Sequence, residues 1–216
     1  MGEYLSIEGG LMRFLSRASD ICIISIIWLI CCLPVVTLGA STTAAYYTIV
    51  KVVRRQRGIL HKEFFQSFKN NFKDSFFINL FYLIMEGFLV FNIYTAYRFL
   101  ETSDSAIALK LLFIYAALFL LVMGTGIYIY PALSRFTMRK RELVRFSFVA
   151  TCRHLPVTIV LIAVFAASCT GIVLLPAGVI FMPGICLYVY SYFMEPILRT
   201  YMTEEMRKQW DGEEEE

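Results

Sequence analysis

Four stretches of the chain, residues 75–97, 109–130, 155–175 and 178–194, are apolar for close to twenty positions with few interruptions. A helix needs roughly 20 mainly apolar residues, within about 17–25, to cross the hydrocarbon core of a bilayer. Each stretch therefore predicts a spanning helix, the last being near the minimum length. The N-terminal part is less regular. Residues 21–33 are uncharged, and extending them back to Phe14 takes in Arg17 and Asp20, an i,i+3 pair suited to the membrane surface. Residues 14–33 thus read as a first span with a charged base, and residues 35–53, which run into Arg54, Arg55 and Arg57, as a second. The join between them, CCLPVVTLGASTTAAYY (31–47), is apolar, but it carries a proline and is crowded with small and hydroxyl residues where a plain lipid-facing helix would carry leucine.

Composition agrees with the pattern. Of 216 residues, 58% are hydrophobic and 17% charged, with a mean hydropathy of +0.65; a soluble domain is about 45–50% apolar and about 25% charged. The expected fold class is all-α: a polytopic bundle of about six spans (14–33, 35–53, 75–97, 109–130, 155–175, 178–194), followed by a charged tail over 195–216. Lysine and arginine in short loops mark the cytoplasmic side. With both termini inside, 18 of the 20 basic residues fall on that side, leaving Arg98 and Lys110 outside. Without the second span the count is 16 of 20, so charge favours the first hairpin. A secretory leader ending near Thr37-Leu38-Gly39 is the alternative, but at about 39 residues it exceeds the usual length of about 15–30.

The inner loops predict more than charge. In FFQSFKNNFKDSFF, Phe64, Phe65, Phe68, Phe72 and Phe76 recur at helical spacing among Lys69, Asn70, Asn71 and Lys73, the pattern of a helix lying in the interface before it turns into the span. RELVRFSFVATCRHLP repeats the idea with Leu143, Phe146, Val149 and Cys152 or Arg153. Ser67-Phe68 with Lys73 and Ser147-Phe148 with Arg153 suggest a faint internal repeat of about 80 residues, against the simpler reading of chance likeness between apolar sequences. The end of the chain reads as a short helix followed by a disordered acidic segment.

Glu86 stands near the middle of 75–97, and a carboxyl at that depth is a candidate functional group. Asn79, Tyr82 and Glu86 fall at i, i+3 and i+7, on one helix face, with Asn92 further along. They form either a substrate or proton contact or a protonated carboxyl bonded to a neighbouring helix. After Pro34, Ser41 or Thr42 is a candidate cap for the next helix, whose N–H groups would face a polar ligand; close helix packing through small residues is the plainer reading. Arg54, Arg55, Arg57, Lys62, Lys69 and Lys73, with Arg139, Lys140 and Arg141, form candidate contacts to anionic lipid or to a cytoplasmic partner. The six cysteines show no metal spacing or disulfide framework, and no catalytic or nucleotide-binding motif accompanies the two histidines. A non-enzymatic protein is expected, with no cofactor, no metal and no nucleic acid; association with a second copy stays open.

The segments FLSRASDICIISIIWLICCLPVVTLGASTTAAYYTIVKVVR (14–54), FFQSFKNNFK (64–73), PALSRF (131–136) and RHLP (153–156) resemble the YesL-like family of bacterial membrane proteins, whose function is unknown. LPVVTLGAST is the specific part. The resemblance implies a multi-span protein of the bacterial cytoplasmic membrane, in the company of carbohydrate-uptake ABC transporters, and carries no site residues. An accessory or regulatory role beside transporter subunits is the leading expectation from it. A small transporter in its own right, with Glu86, Asn79 and the Pro34 break lining the path, is the rival.

Overall fold

The computed structural model describes residues 2–102, 106–136 and 138–207, and among these every regular element is helical. In order they are α1 (Gly2–Cys32), α2 (Leu38–Thr48), α3 (Leu60–Thr102), α4 (Ala106–Leu133), α5 (Lys140–Arg153), α6 (Leu155–Leu174) and α7 (Met182–Tyr201). Four helices are long and apolar enough to cross a membrane: α1 over Leu15–Cys32, then α3, α4 and α6. Their outward faces are apolar, with Phe88 65% and Phe113 68% exposed. An apolar surface of this extent is compatible with a bilayer and ill suited to water.

The chain folds back on itself after Pro34. Leu33 N–H still bonds to Ile30 O, then Pro34 turns to extended backbone and a short 3-10 turn covers Val35–Thr37. Trp28 of α1 donates from Nε1 to Thr42 Oγ1 of α2 at 3.2 Å, two positions equidistant from the turn, so α1 and α2 form an antiparallel hairpin. Its second arm is eleven α-helical residues continued by a six-residue π segment, Ile49–Arg54; at 1.5 Å per residue it is about 25 Å long. Small residues explain its position: Ala40, Ser41, Thr43, Ala44 and Ala45 are all buried, so the segment lies inside the bundle. At Gly39 an added methyl would lie 2.9 Å from the Tyr130 ring and 3.1 Å from the Ser75 carbonyl oxygen, so α2 reaches α3 only because that side chain is absent. Hydroxyls inside α2 bond back to their own helix, Thr43 to Gly39 O and Thr48 to Ala44 O, both at 2.8 Å.

Two expectations change here. The aromatic segment 64–76 is no separate interfacial helix: α3 runs unbroken for 43 residues, about 65 Å at 1.5 Å per residue, against a hydrocarbon core of about 30 Å. Its Phe64, Phe68, Phe72 and Phe76 form an i,i+4 ladder with ring centroids 6.3, 5.5 and 6.4 Å apart. α5, by contrast, is a distinct helix, ended by the non-helical His154. Pro156 supplies the reason, because its ring clashes with the carbonyl four residues back and its nitrogen donates no bond, whereas the matching position in α3 is Phe76. On α5 the buried positions are Leu143, Ser147, Ala150 and Thr151, while Val149 and Cys152 of the expected apolar face are exposed.

The expected tail boundary also moves. α7 continues through Glu195, Ile197 and Leu198, all buried, to Tyr201; hydropathy misses this turn because Glu195 interrupts the apolar run. The acidic end, 208–216, lies outside the described residues. Close packing at Gly39 predicts that Gly39→Val destabilises the protein by about 1–3 kcal/mol, read as a lower unfolding midpoint in detergent, while Gly87→Ala, where an added methyl meets nothing within 4 Å, leaves the midpoint unchanged.

Candidate functional site

The interior of the bundle holds a cavity of about 480 Å³, lined by side chains from α1, α2, α3, α4, α6 and α7. Chambers of about 300–1,000 Å³ with mostly apolar walls and a few polar groups are the usual form of a small-ligand site. Trp28 comes from α1, Thr42 from α2, Tyr130 from α4, Phe165 from α6 and Tyr190 from α7. α3 contributes Asn79, Tyr82 and Glu86 from one face. Gly126 opposite Tyr82 leaves the wall thin, an added methyl there standing 3.8 Å from the Tyr82 ring.

Most polar groups around the cavity are already engaged. Asn79 is buried and donates from Nδ2 to Val35 O at 3.1 Å and Val36 O at 3.4 Å, while its Oδ1 accepts from Tyr130 Oη at 3.0 Å. It thereby ties the Pro34 turn to α3 and α4. Tyr190 Oη donates to Leu161 O at 2.7 Å, and Thr42 Oγ1 accepts from Trp28. Glu86 is different. It is half-buried at the wall, and its carboxylate makes no hydrogen bond or ion pair among the described residues.

Not every residue singled out in the sequence meets here. Asn92 lies outside the cavity wall and donates to Phe88 O of its own helix at 2.7 Å. Ser41 is fully buried outside the cavity wall, with the Cys32 thiol as its side-chain neighbour. Neither Ser41 nor Thr42 caps α2, a correction to the expected helix start: both lie inside the helix, and the residue before it is Thr37. Thr37 Oγ1 instead donates to Cys31 O at 2.5 Å and Pro34 O at 2.6 Å, serving the end of α1. Nor does α2 present open N–H groups to a ligand, since Thr37 and Leu38 N–H are taken by Pro34 O and Val35 O within the 3-10 turn.

A second polar centre lies at the basic end of the bundle. Arg135 Nη2 and Glu195 Oε1 form an ion pair at 2.8 Å, with their side chains 1% and 8% exposed, and Tyr46 Oη donates to the same carboxylate oxygen at 3.1 Å. Sequence reading missed it because Glu195 looked like the start of a charged tail and Arg135 like one loop cation among several. The signal was PALSRF, an arginine pinned between buried Leu133 and Phe136. Among the basic residues, Arg54 turns inward, donating to Ser191 O at 2.6 Å and lying 4.4 Å from the Tyr192 ring centroid. Arg55 and Arg57 are half-buried and engaged within the fold. Lys140 pairs with Asp74 at 3.2 Å, clamping α5 to α3. Lys62, Lys69, Lys73, Arg139 and Arg141 are exposed.

Residues 21–93 match the family described as protein of unknown function, DUF624. No curated protein and no solved structure matches the chain. The matched region runs from α1 through most of α3, so it contains the Pro34 turn, Asn79 and Glu86. At the second centre, Glu195→Ala alone removes the carboxylate paired with the buried Arg135 and is expected to cost about 3–5 kcal/mol, whereas Arg135→Met with Glu195→Leu together cost less; SDS-titration unfolding of the purified variants measures both.

Proposed function

We propose that this is a multi-pass protein of the bacterial cytoplasmic membrane that binds a small molecule in its central chamber, as a transporter does. The observation that carries the reading is the Glu86 carboxyl group, without a hydrogen bond or ion pair among the described residues, in the wall of a cavity of about 480 Å³. A carboxyl group at membrane depth is costly and persists where it serves a ligand or ion path. In this reading 38–54 and 182–201 complete the count to six spans, and both termini lie inside with Lys62, Lys69, Lys73, Arg139 and Arg141. Glu86, Asn79 and Thr42 belong to the chamber; Asn79 holds its roof in place.

The exposed basic face favours a second role alongside the first. Five cations on the ends of α3 and α5 suit anionic lipid headgroups or an acidic surface on a partner. The resemblance to the YesL-like family supports ABC-type carbohydrate transporter subunits as that partner.

Topology predicts that Lys73→Cys reacts with an impermeant maleimide only in inside-out vesicles, and Glu101→Cys only in right-side-out cells, each measured as labelling gained over the wild type. Ligand binding is testable through Trp28, which lines the chamber. The chain has two tryptophans, so Trp210→Phe leaves Trp28 as the sole reporter. At least one of phenyltrimethylammonium, tert-butylbenzene and benzoate should change its emission saturably. Gly126→Phe, which fills the chamber, should abolish the response while helicity by circular dichroism is retained.

A further inference from the structure

We infer that the ligand of this chamber is a small organic cation bearing apolar groups, a quaternary ammonium or a protonated amine, held among aromatic rings with Glu86 as its counter-ion. The inference rests on the chamber reading above and adds the chemical class of the ligand. Five rings reach the wall from five different helices: Trp28, Tyr82, Tyr130, Phe165 and Tyr190. Three of their polar tips are committed elsewhere, Trp28 Nε1 to Thr42, Tyr130 Oη to Asn79 and Tyr190 Oη to Leu161 O. What these rings offer a ligand is their π surface, which attracts cations by its quadrupole.

Charge excludes the other classes. Among the described lining residues Glu86 is the single formally charged group, with no lysine or arginine to receive an anion. A sugar or other polyol needs many free hydrogen-bonding groups, whereas this wall is mainly apolar and Asn79, Thr42, Tyr130 and Tyr190 already hold bonds inside the protein. A neutral hydrocarbon would leave the carboxylate facing apolar matter with no counter-charge, the arrangement that desolvation penalises most. An apolar cation satisfies the carboxylate and the rings together. Where the Glu86 carboxyl group is protonated before binding, it loses that proton to solvent and becomes the carboxylate that pairs with the cation, and no other bond changes.

The test compares ligands of one shape and different charge on the Trp210→Phe protein in detergent, by Trp28 emission. Phenyltrimethylammonium should bind at least about tenfold tighter than tert-butylbenzene, its uncharged isostere, and benzoate should not bind. Glu86→Gln should remove that preference without changing tert-butylbenzene affinity, and Glu86→Asp should keep part of it. Equal affinity of the wild-type protein for the cation and its isostere, or preference for benzoate, overturns the charge assignment and leaves the chamber reading standing. That comparison needs no variant of Glu86, so misfolding of Glu86→Gln cannot obscure it. Silence of Trp28 toward all three probes overturns the chamber reading as well.

Discussion

The side chain of Asn79 ties together three parts of the fold: the Pro34 turn, α3 and α4. The Pro34 turn leaves carbonyl groups without helical partners, and a carbonyl that lacks both water and a donor costs stability in an apolar setting. Asn79 donates to Val35 O, which also accepts from Leu38 N–H, and to Val36 O, and it accepts from Tyr130 on α4. With the turn fixed, α2 can enter the bundle as a short arm of alanine, serine and threonine, and Gly39 lets its backbone meet α3. The remaining helices pack around that arm.

The chamber follows from the same arrangement. α2 fills the basic half of the bundle, where Tyr46, Ile49 and Val53 are fully buried and the Arg135–Glu195 pair closes the core. Towards the Pro34 turn its side chains are small, and the space they leave is bounded by rings from the surrounding helices. One end of the molecule is therefore cross-linked by buried charge and the other is open around Glu86.

The two basic segments differ in how they join the helix that follows. Ser67 in α3 and Ser147 in α5 occupy matching places and are both buried, each followed by a basic residue and an apolar span. α3 carries Phe76 after its basic segment and continues; Pro156 follows the basic segment of α5, which ends at His154 before α6 begins. Lys140 then anchors α5 to Asp74 of α3, which joins the two segments at the basic face.

Apolar run length determined the helical class and three of the four long apolar helices, α3, α4 and α6, because the cost of leaving backbone groups unbonded in lipid admits little else; the run over 178–194 became part of the shorter α7, and α1 took the fourth place. Helical spacing likewise put Asn79, Tyr82 and Glu86 on one face of α3. Other features depended on partners distant in the chain. Asn79 and Glu86 look alike as polar interruptions, yet one is consumed by hydrogen bonds with residues 44 and 51 positions away while the other has none among the described residues. Asn92 looks like both and bonds to its own helix. Glu195 and Arg135, 60 positions apart, read as loop charges until the fold buries them against each other. A sequence records which side chains carry charge or hydrogen bonds, but the partner that satisfies each one is chosen by packing, and that choice separates a structural polar group from a binding one.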